Sequence, residues 1–190
     1  MCKLLFVVTL LFFATPAVSG SDHDGRGAHG DDRLHGQKVL KVFDANGKVV
    51  GPLTIESLGE GVILTVRGAR TFVGVTRPFD ESGWHASKYA WSAGGLSYPT
   101  TDCSGPPAIV NASPVLRPST LDRVGARVTL YLAPDGPTTK IVVHSDSSHG
   151  FCYTYPGGHA GPQPFTAEAW GVEAVYTLTD DYPEPLAIHY

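Results

Sequence analysis

Several kinds of protein are set aside by what this chain lacks. Beyond residue 20 no apolar run approaches the length a helix needs to cross a bilayer, so no transmembrane anchor is expected. There is no internal repeat of fixed period and no long stretch with helical spacing of apolar residues. Motifs that announce common enzymes are missing as well: no G-x-S-x-G elbow, no H-E-x-x-H, no phosphate-cradling G-x-x-x-x-G-K-[ST] and no dinucleotide fingerprint. Basic residues do not cluster. With 14 Lys and Arg against 18 Asp and Glu the formal charge is −4, and Arg67, Arg70 and Arg77 are too sparse to track a phosphate backbone, so nucleic acid is not an expected partner. Cysteine is scarce: of the 3 present, neither Cys103 nor Cys152 has a second cysteine at metal-ligand spacing, and neither a metal site nor a cofactor is expected.

What is present begins with an export signal. Lys3 supplies a short charged head, Leu4 to Ala14 an apolar run, and Ala17-Val18-Ser19-Gly20 a small-residue exit, which reads as a secretory signal peptide over 1–20. Its removal takes one lysine and no acid, moving the formal charge from −4 to −5. Residues 21–37 hold one Leu and one Ala among polar, charged and glycine residues, too little to offset the cost of ordering, and read as a disordered leader. His23, His29 and His35 lie there beside Asp24, Asp31 and Asp32. That composition can hold Zn²⁺ or Cu²⁺ loosely, but the spacing matches no structured site, and a soluble tether is the preferred reading. The expected location is secreted or periplasmic.

Residues 38–190 read as one all-β domain of antiparallel hairpins, forming a sandwich or an irregular barrel. At 42% hydrophobic and 17% charged the 190-residue chain is globular in composition, and its 22 Gly and 15 Pro, about a fifth of the chain, suit many strands joined by tight turns. Asn46-Gly47 between two apolar runs is a strong hairpin signal. A two-residue loop at Asn46-Gly47 would place Phe43 opposite Val50, but Asp44 at the first turn position and Gly47 at the last favour a type I turn closing in a bulge at Gly47, which places Phe43 opposite Val49. Pro52, lacking an amide hydrogen, must end the second strand's pairing or lie at a sheet edge. A second hairpin is expected around Gly68-Ala69 as a type II′ turn, pairing Val66 with Thr71, Leu64 with Val73 and Val62 with Val75, with Phe72 across from Thr65 on the other face. A third is expected from Arg127–Leu132, through Ala133 to Pro137, to Lys140–His144. Phe151, Tyr153 and Tyr155 share one face of a short strand, and Val172–Leu178 and Leu186–Tyr190 supply the last two, separated by Pro183 and Pro185. Pro118–Val124 and Thr166–Trp170 are segments that a helical turn would also suit.

Between Pro78 and Pro99 periodicity fails while Phe79, Trp84, Tyr89, Trp91 and Tyr98 gather, with His85 among them. A long irregular loop of aromatics is where a binding surface is sought, and Trp84, Tyr89 and Trp91 are the candidate ligand-binding residues. The competing reading is that the tryptophans plug the open end of a β core. Trp91, following Ala90 into a strand, is expected to be buried; Trp84, beside Gly83 and His85 in a turn, is expected to be partly exposed.

Thr101 to Pro107 then forms a turn carrying Cys103. With Cys2 removed in the signal peptide, Cys103 and Cys152 are the remaining pair in an exported chain, and a disulfide is the natural reading. Together, the early V-x-D-x-x-G-K-x-V-G hairpin (Val42, Asp44, Gly47, Lys48, Val50, Gly51), the D-C-S-G turn (Asp102, Cys103, Ser104, Gly105) and the proline-rich terminal strand resemble small uncharacterised exported bacterial all-β proteins. The resemblance spans most of residues 38–190 and implies export and β structure; it implies no catalytic residue.

His144 and the run Ser145-Asp146-Ser147-Ser148-His149 put hydroxyls, a carboxylate and imidazoles close together. Triad members usually meet from distant segments, so a polar loop after a strand is the preferred reading. The expected function is that of a non-catalytic exported β domain, of an activity the sequence does not name, that binds a ligand or decorates a surface, with a glycan or another cell-surface ligand as the candidate partner. The alternative is a small secreted hydrolase acting on glycan or ester.

Overall fold

The structure, a computed structural model, describes residues 38–110, 112, 116–157 and 161–190. The signal peptide expected over 1–20 and the leader over 21–37 lie outside the described residues. Within them the fold is all-β, with strands arranged in several small antiparallel sheets and a single four-residue helical turn.

The chain opens with β1 (Lys41–Phe43) and β2 (Val49–Pro52). Phe43 lies opposite Val49 across the expected turn, with Gly47 at a left-handed φ of +77°. Asp44 shapes that turn from within: its Oδ1 accepts the amide hydrogens of Asn46 and Lys48, both at 2.9 Å, the local bonding that makes Asp a turn former. β2 is an edge strand and Pro52 ends it, so the missing amide hydrogen costs no ladder bond.

β3 (Thr54–Glu56), β4 (Gly59–Val66) and β5 (Ala69–Thr76) follow. The β4–β5 hairpin forms on the expected face but two residues out of the expected register: Val66 pairs with Ala69, Leu64 with Thr71 and Val62 with Val73. The turn is Arg67-Gly68, both at positive φ (+50° and +83°), so glycine takes the second position of a type I′ turn instead of the first of a type II′. A shift of two residues keeps every side chain on its face, which is why the apolar pattern could not choose between the registers. Phe72 does lie on the opposite face, across from Ile63 and not Thr65. Its ring crosses Gly61, where an added Cβ would sit 2.6 Å from the ring and 2.3 Å from the Val73 carbonyl oxygen.

β6 (Phe79–Asp80), β7 (Gly83–Trp84), β8 (Ala90–Trp91) and β9 (Leu96–Tyr98) occupy the aromatic stretch. Next come β10 (Ser119–Val124), β11 (Arg127–Leu132), β12 (Thr139–Val143), β13 (Ser145–Ser148), β14 (Phe151–Thr154), β15 (Phe165–Ala169), β16 (Ala174–Thr177), α1 (Leu178–Asp181) and β17 (Ala187–His189). The expected third hairpin is absent. β11 pairs with β10 and β16, while β12 pairs with β15. Pro134 and Pro137 carry no amide hydrogens for a tight reversal, whereas Gly125-Ala126, with Gly125 at φ +61°, closes β10 onto β11 in two residues. Neither Pro118–Val124 nor Thr166–Trp170 is helical; each contributes a strand because a partner strand completes its hydrogen bonding. Ser145–His149, expected as a polar loop, instead supplies β13, paired on both sides by β9 and β14. Leu178, expected to end a strand, starts α1 with its side chain fully buried.

The main core joins three sheets: Val42 from β1, Val62, Leu64, Val73 and Val75 from β4–β5, and Leu121, Val128 and Leu130 from β10–β11, with Trp91, Leu178 and Leu186 packed among them. β17 pairs with β1, which brings the C-terminal segment beside the first hairpin. Away from this core, the Cys103 turn is fastened to β13 and β14. Ser145, fully buried, donates its hydroxyl to the Thr100 carbonyl (2.7 Å) and accepts the Cys103 amide hydrogen (3.0 Å). Cys103 and Cys152 are disulfide-bonded with Cα atoms 5.9 Å apart. Closing a loop of 49 residues contributes about 4 kcal/mol in the chain-entropy picture. Thiol titration of the unfolded, unreduced protein should therefore find neither Cys103 nor Cys152 reactive, and reduction should lower the urea midpoint; two free thiols would contradict the bridge.

Candidate functional site

The aromatic stretch is shaped by short-range turn chemistry. Asp80 begins the β6–β7 turn, and its Oδ1 accepts the Ser82 amide hydrogen (2.9 Å) and hydroxyl (2.6 Å). Oδ2 meets His85 Nε2 at 2.6 Å. The Ser82 hydroxyl first, and His85 after it, hold the Asp80 carboxyl well below the usual carboxylate range. Gly83, at φ +100°, completes the reversal and sets Trp84 directly across from Phe79, with ring centroids 5.2 Å apart at an interplanar angle of 57°. Neither ring is covered: Phe79 is 67% and Trp84 71% exposed.

Seven residues on, β8 returns to pair with β5, Trp91 against Val75 and Ala90 against Thr76. That return brings Tyr89 to Arg77, whose Nε and Nη2 donate to the tyrosine oxygen at 3.2 and 3.0 Å. Tyr89 also exchanges two backbone hydrogen bonds with Leu186, so the wall it forms is tied to the C-terminal segment. Trp91, 1% exposed, is the floor. Its Nε1 donates to the Tyr182 carbonyl (3.1 Å), its amide hydrogen goes to Glu184 Oε1 (2.6 Å), and its carbonyl accepts from Arg123 Nη2 (3.1 Å). Arg123 and Glu184 complete the clamp with a two-pronged ion pair at 2.8 and 2.6 Å.

These residues enclose a groove of about 730 Å³, within the size range of small-molecule sites, further lined by Lys88, His149 and Pro185. All three tryptophan and tyrosine residues singled out from the sequence line it: Trp84 on the rim, half-buried Tyr89 on the wall, Trp91 beneath. Tyr98 is elsewhere, buried in β9. Sequence reasoning missed Arg123, Glu184 and His149 as neighbours, since they arrive from segments far along the chain. Arg77 was visible, immediately before the aromatic stretch, but only as an isolated basic residue.

A second, smaller cleft of about 280 Å³ lies against β13, between Gly95, Ser97, Thr120, Asp146 and Tyr155. Tyr155 donates its hydroxyl to Asp146 Oδ2, a bond that, with desolvation, pushes the phenol up to about 12. The residues that suggested a hydrolase do not assemble as a triad. Ser145 Oγ is buried and bonded to the Cys103 turn, Asp146 faces Tyr155, and the Ser148 Oγ–His149 Nδ1 contact at 2.8 Å joins adjacent residues, with no carboxylate bonded to the imidazole among the described residues. The chain matches no known protein family, no characterised protein and no solved structure.

The division between rim and floor carries a direct consequence. Trp91→Ala should cost about 3 to 5 kcal/mol of stability, as loss of a buried large aromatic does, while Trp84→Ala should stay within about 0.5 kcal/mol of the parent. Urea unfolding of the two variants checks this; equal losses would show that both rings are core.

Proposed function

We propose that this chain is an exported, non-catalytic β domain that binds a glycan in the groove beneath Phe79 and Trp84. The observation that carries the reading is the exposed ring pair. Two large aromatic faces left in water at the mouth of a groove are unfavourable for the free protein, and they gain when another flat, partly apolar surface covers them. A sugar ring has such a face, and its hydroxyls can meet the polar wall of Arg77, His85 and His149. The floor is firmly held by the Arg123–Glu184 clamp, so little ordering cost falls on binding.

Export rests on the sequence: the charged head, apolar run and small-residue exit of residues 1–20. The Cys103–Cys152 bridge fits an oxidising compartment, and no helix among the described residues is long and apolar enough to cross a membrane. The likeness to small exported bacterial β proteins points the same way, and a periplasmic or extracellular surface is where such a domain would meet its ligand.

Affinity electrophoresis through gels containing soluble polysaccharides, compared between the parent protein and Trp84→Ala, tests the reading. Retardation of the parent with at least about a ten-fold weaker response from the folded variant is expected. A variant retarded as strongly as the parent would remove the site.

A further inference from the structure

Of the charged side chains lining the groove, both carboxylates are already engaged. Glu184 is clamped by Arg123 and the Trp91 amide, and Asp80 is held by Ser82 and His85. Two of the cations are not matched in this way. The Arg77 guanidinium engages Tyr89, donating to its hydroxyl through Nε and Nη2 and lying 5.3 Å from its ring centroid, and Nη1 is left without an acceptor among the described residues. Lys88 is exposed, and its ammonium has no acceptor among them either. A chain of formal charge −4 thus places beside its exposed aromatic pair two positive groups that have no carboxylate partner among the described residues.

We infer that the groove takes a negatively charged glycan, whose ring lies over Phe79 and Trp84 while its carboxylate or sulfate meets Arg77 and Lys88. The inference builds on the glycan-binding reading above and adds the charge of the ligand. Arginine's planar fork suits the oxygen pairs of a carboxylate or sulfate, and lysine adds a mobile point charge. With two cations that lack a carboxylate partner among the described residues, the groove fits an anionic group carried on a sugar. It does not provide the row of positive charge that a phosphate backbone requires. Because both cations are open to water, each contact is modest and sensitive to salt.

Calorimetric titration of the disulfide-intact protein tests this with paired probes: a short oligogalacturonate against its methyl ester, and a sulfated isomalto-oligosaccharide against its unsulfated parent. The two pairs separate carboxylate from sulfate while keeping the rings the same. At least one anionic probe should bind about ten-fold more tightly than its neutral counterpart. Lys88→Gln, which removes no hydrogen bond or ion pair among the described residues, should weaken that binding by about three-fold while leaving neutral-probe binding unchanged, and Arg77→Gln should weaken anionic-probe binding by more than it weakens neutral-probe binding. Raising ionic strength from about 0.1 M to about 1 M, which shortens the Debye length from about 10 Å to about 3 Å, should erase the preference. Equal, Trp84-dependent binding of charged and neutral probes would overturn the charge assignment and leave the ring site standing. No binding of any glycan would overturn both, and tighter binding of a single-stranded oligonucleotide than of any glycan would assign the groove to a different polyanion.

Discussion

The ion pair between Arg123 and Glu184 is the constraint on which the groove depends. Placing two charges largely out of water costs more than their attraction returns unless the remaining donors and acceptors find partners. Here the surrounding backbone supplies them. Glu184 takes the Trp91 amide hydrogen as well as both prongs of the guanidinium, and Arg123 returns a bond to the Trp91 carbonyl. Three distant segments, β8, β10 and the stretch between α1 and β17, are thereby fixed around one residue, Trp91. With the amide hydrogen and the carbonyl of Trp91 both satisfied, the Trp91 ring can lie in the core against Val75 while the chain just before it, Lys88 to Ala90, runs along the groove.

The rim is built by a different rule. Phe79 and Trp84 belong to strands two residues long, joined by a turn whose side-chain hydrogen bonds, from Asp80 to Ser82 and His85, are all local. Such a turn can present side chains outward at little cost because its stability is local. A firm floor under a locally folded rim is the arrangement expected where a scaffold positions recognition residues on a connecting segment.

The legibility of the fold from the sequence followed how local each signal was. The Asp44–Gly47 turn was readable down to its register, because its bulge, its Asx bonding and its terminal glycine all come from four consecutive residues. The Arg67-Gly68 turn was read on the correct faces and in the wrong register, since Gly68-Ala69 and Gly125-Ala126 are the same dipeptide used differently and only strand pairing decides which position glycine takes. The β10–β11 and β12–β15 pairings were hidden because β10 and β15 have weak patterns and become strands through partners 30 or fewer residues away that the pattern does not name. In the site, the burial of Trp91 and exposure of Trp84 were legible from the strand entry and the glycine turn beside them. Glu184 was not, for nothing about an acid between two prolines indicates an arginine 61 residues earlier.

The most direct test of the rim-and-floor account uses the three tryptophans as separate reporters. Trp91 Nε1 donates to the Tyr182 carbonyl and Trp170 Nε1 to the Gly136 carbonyl, each at 3.1 Å, while the Trp84 indole has no acceptor among the described residues. In nitrogen–proton correlation spectra recorded during titration with an acidic oligosaccharide, the Trp84 indole signal should exchange fastest with solvent in the free protein and move most on binding, the Trp91 signal should move slightly, and the Trp170 signal should stay in place. A titration that shifts Trp170 and leaves Trp84 unmoved would contradict the account.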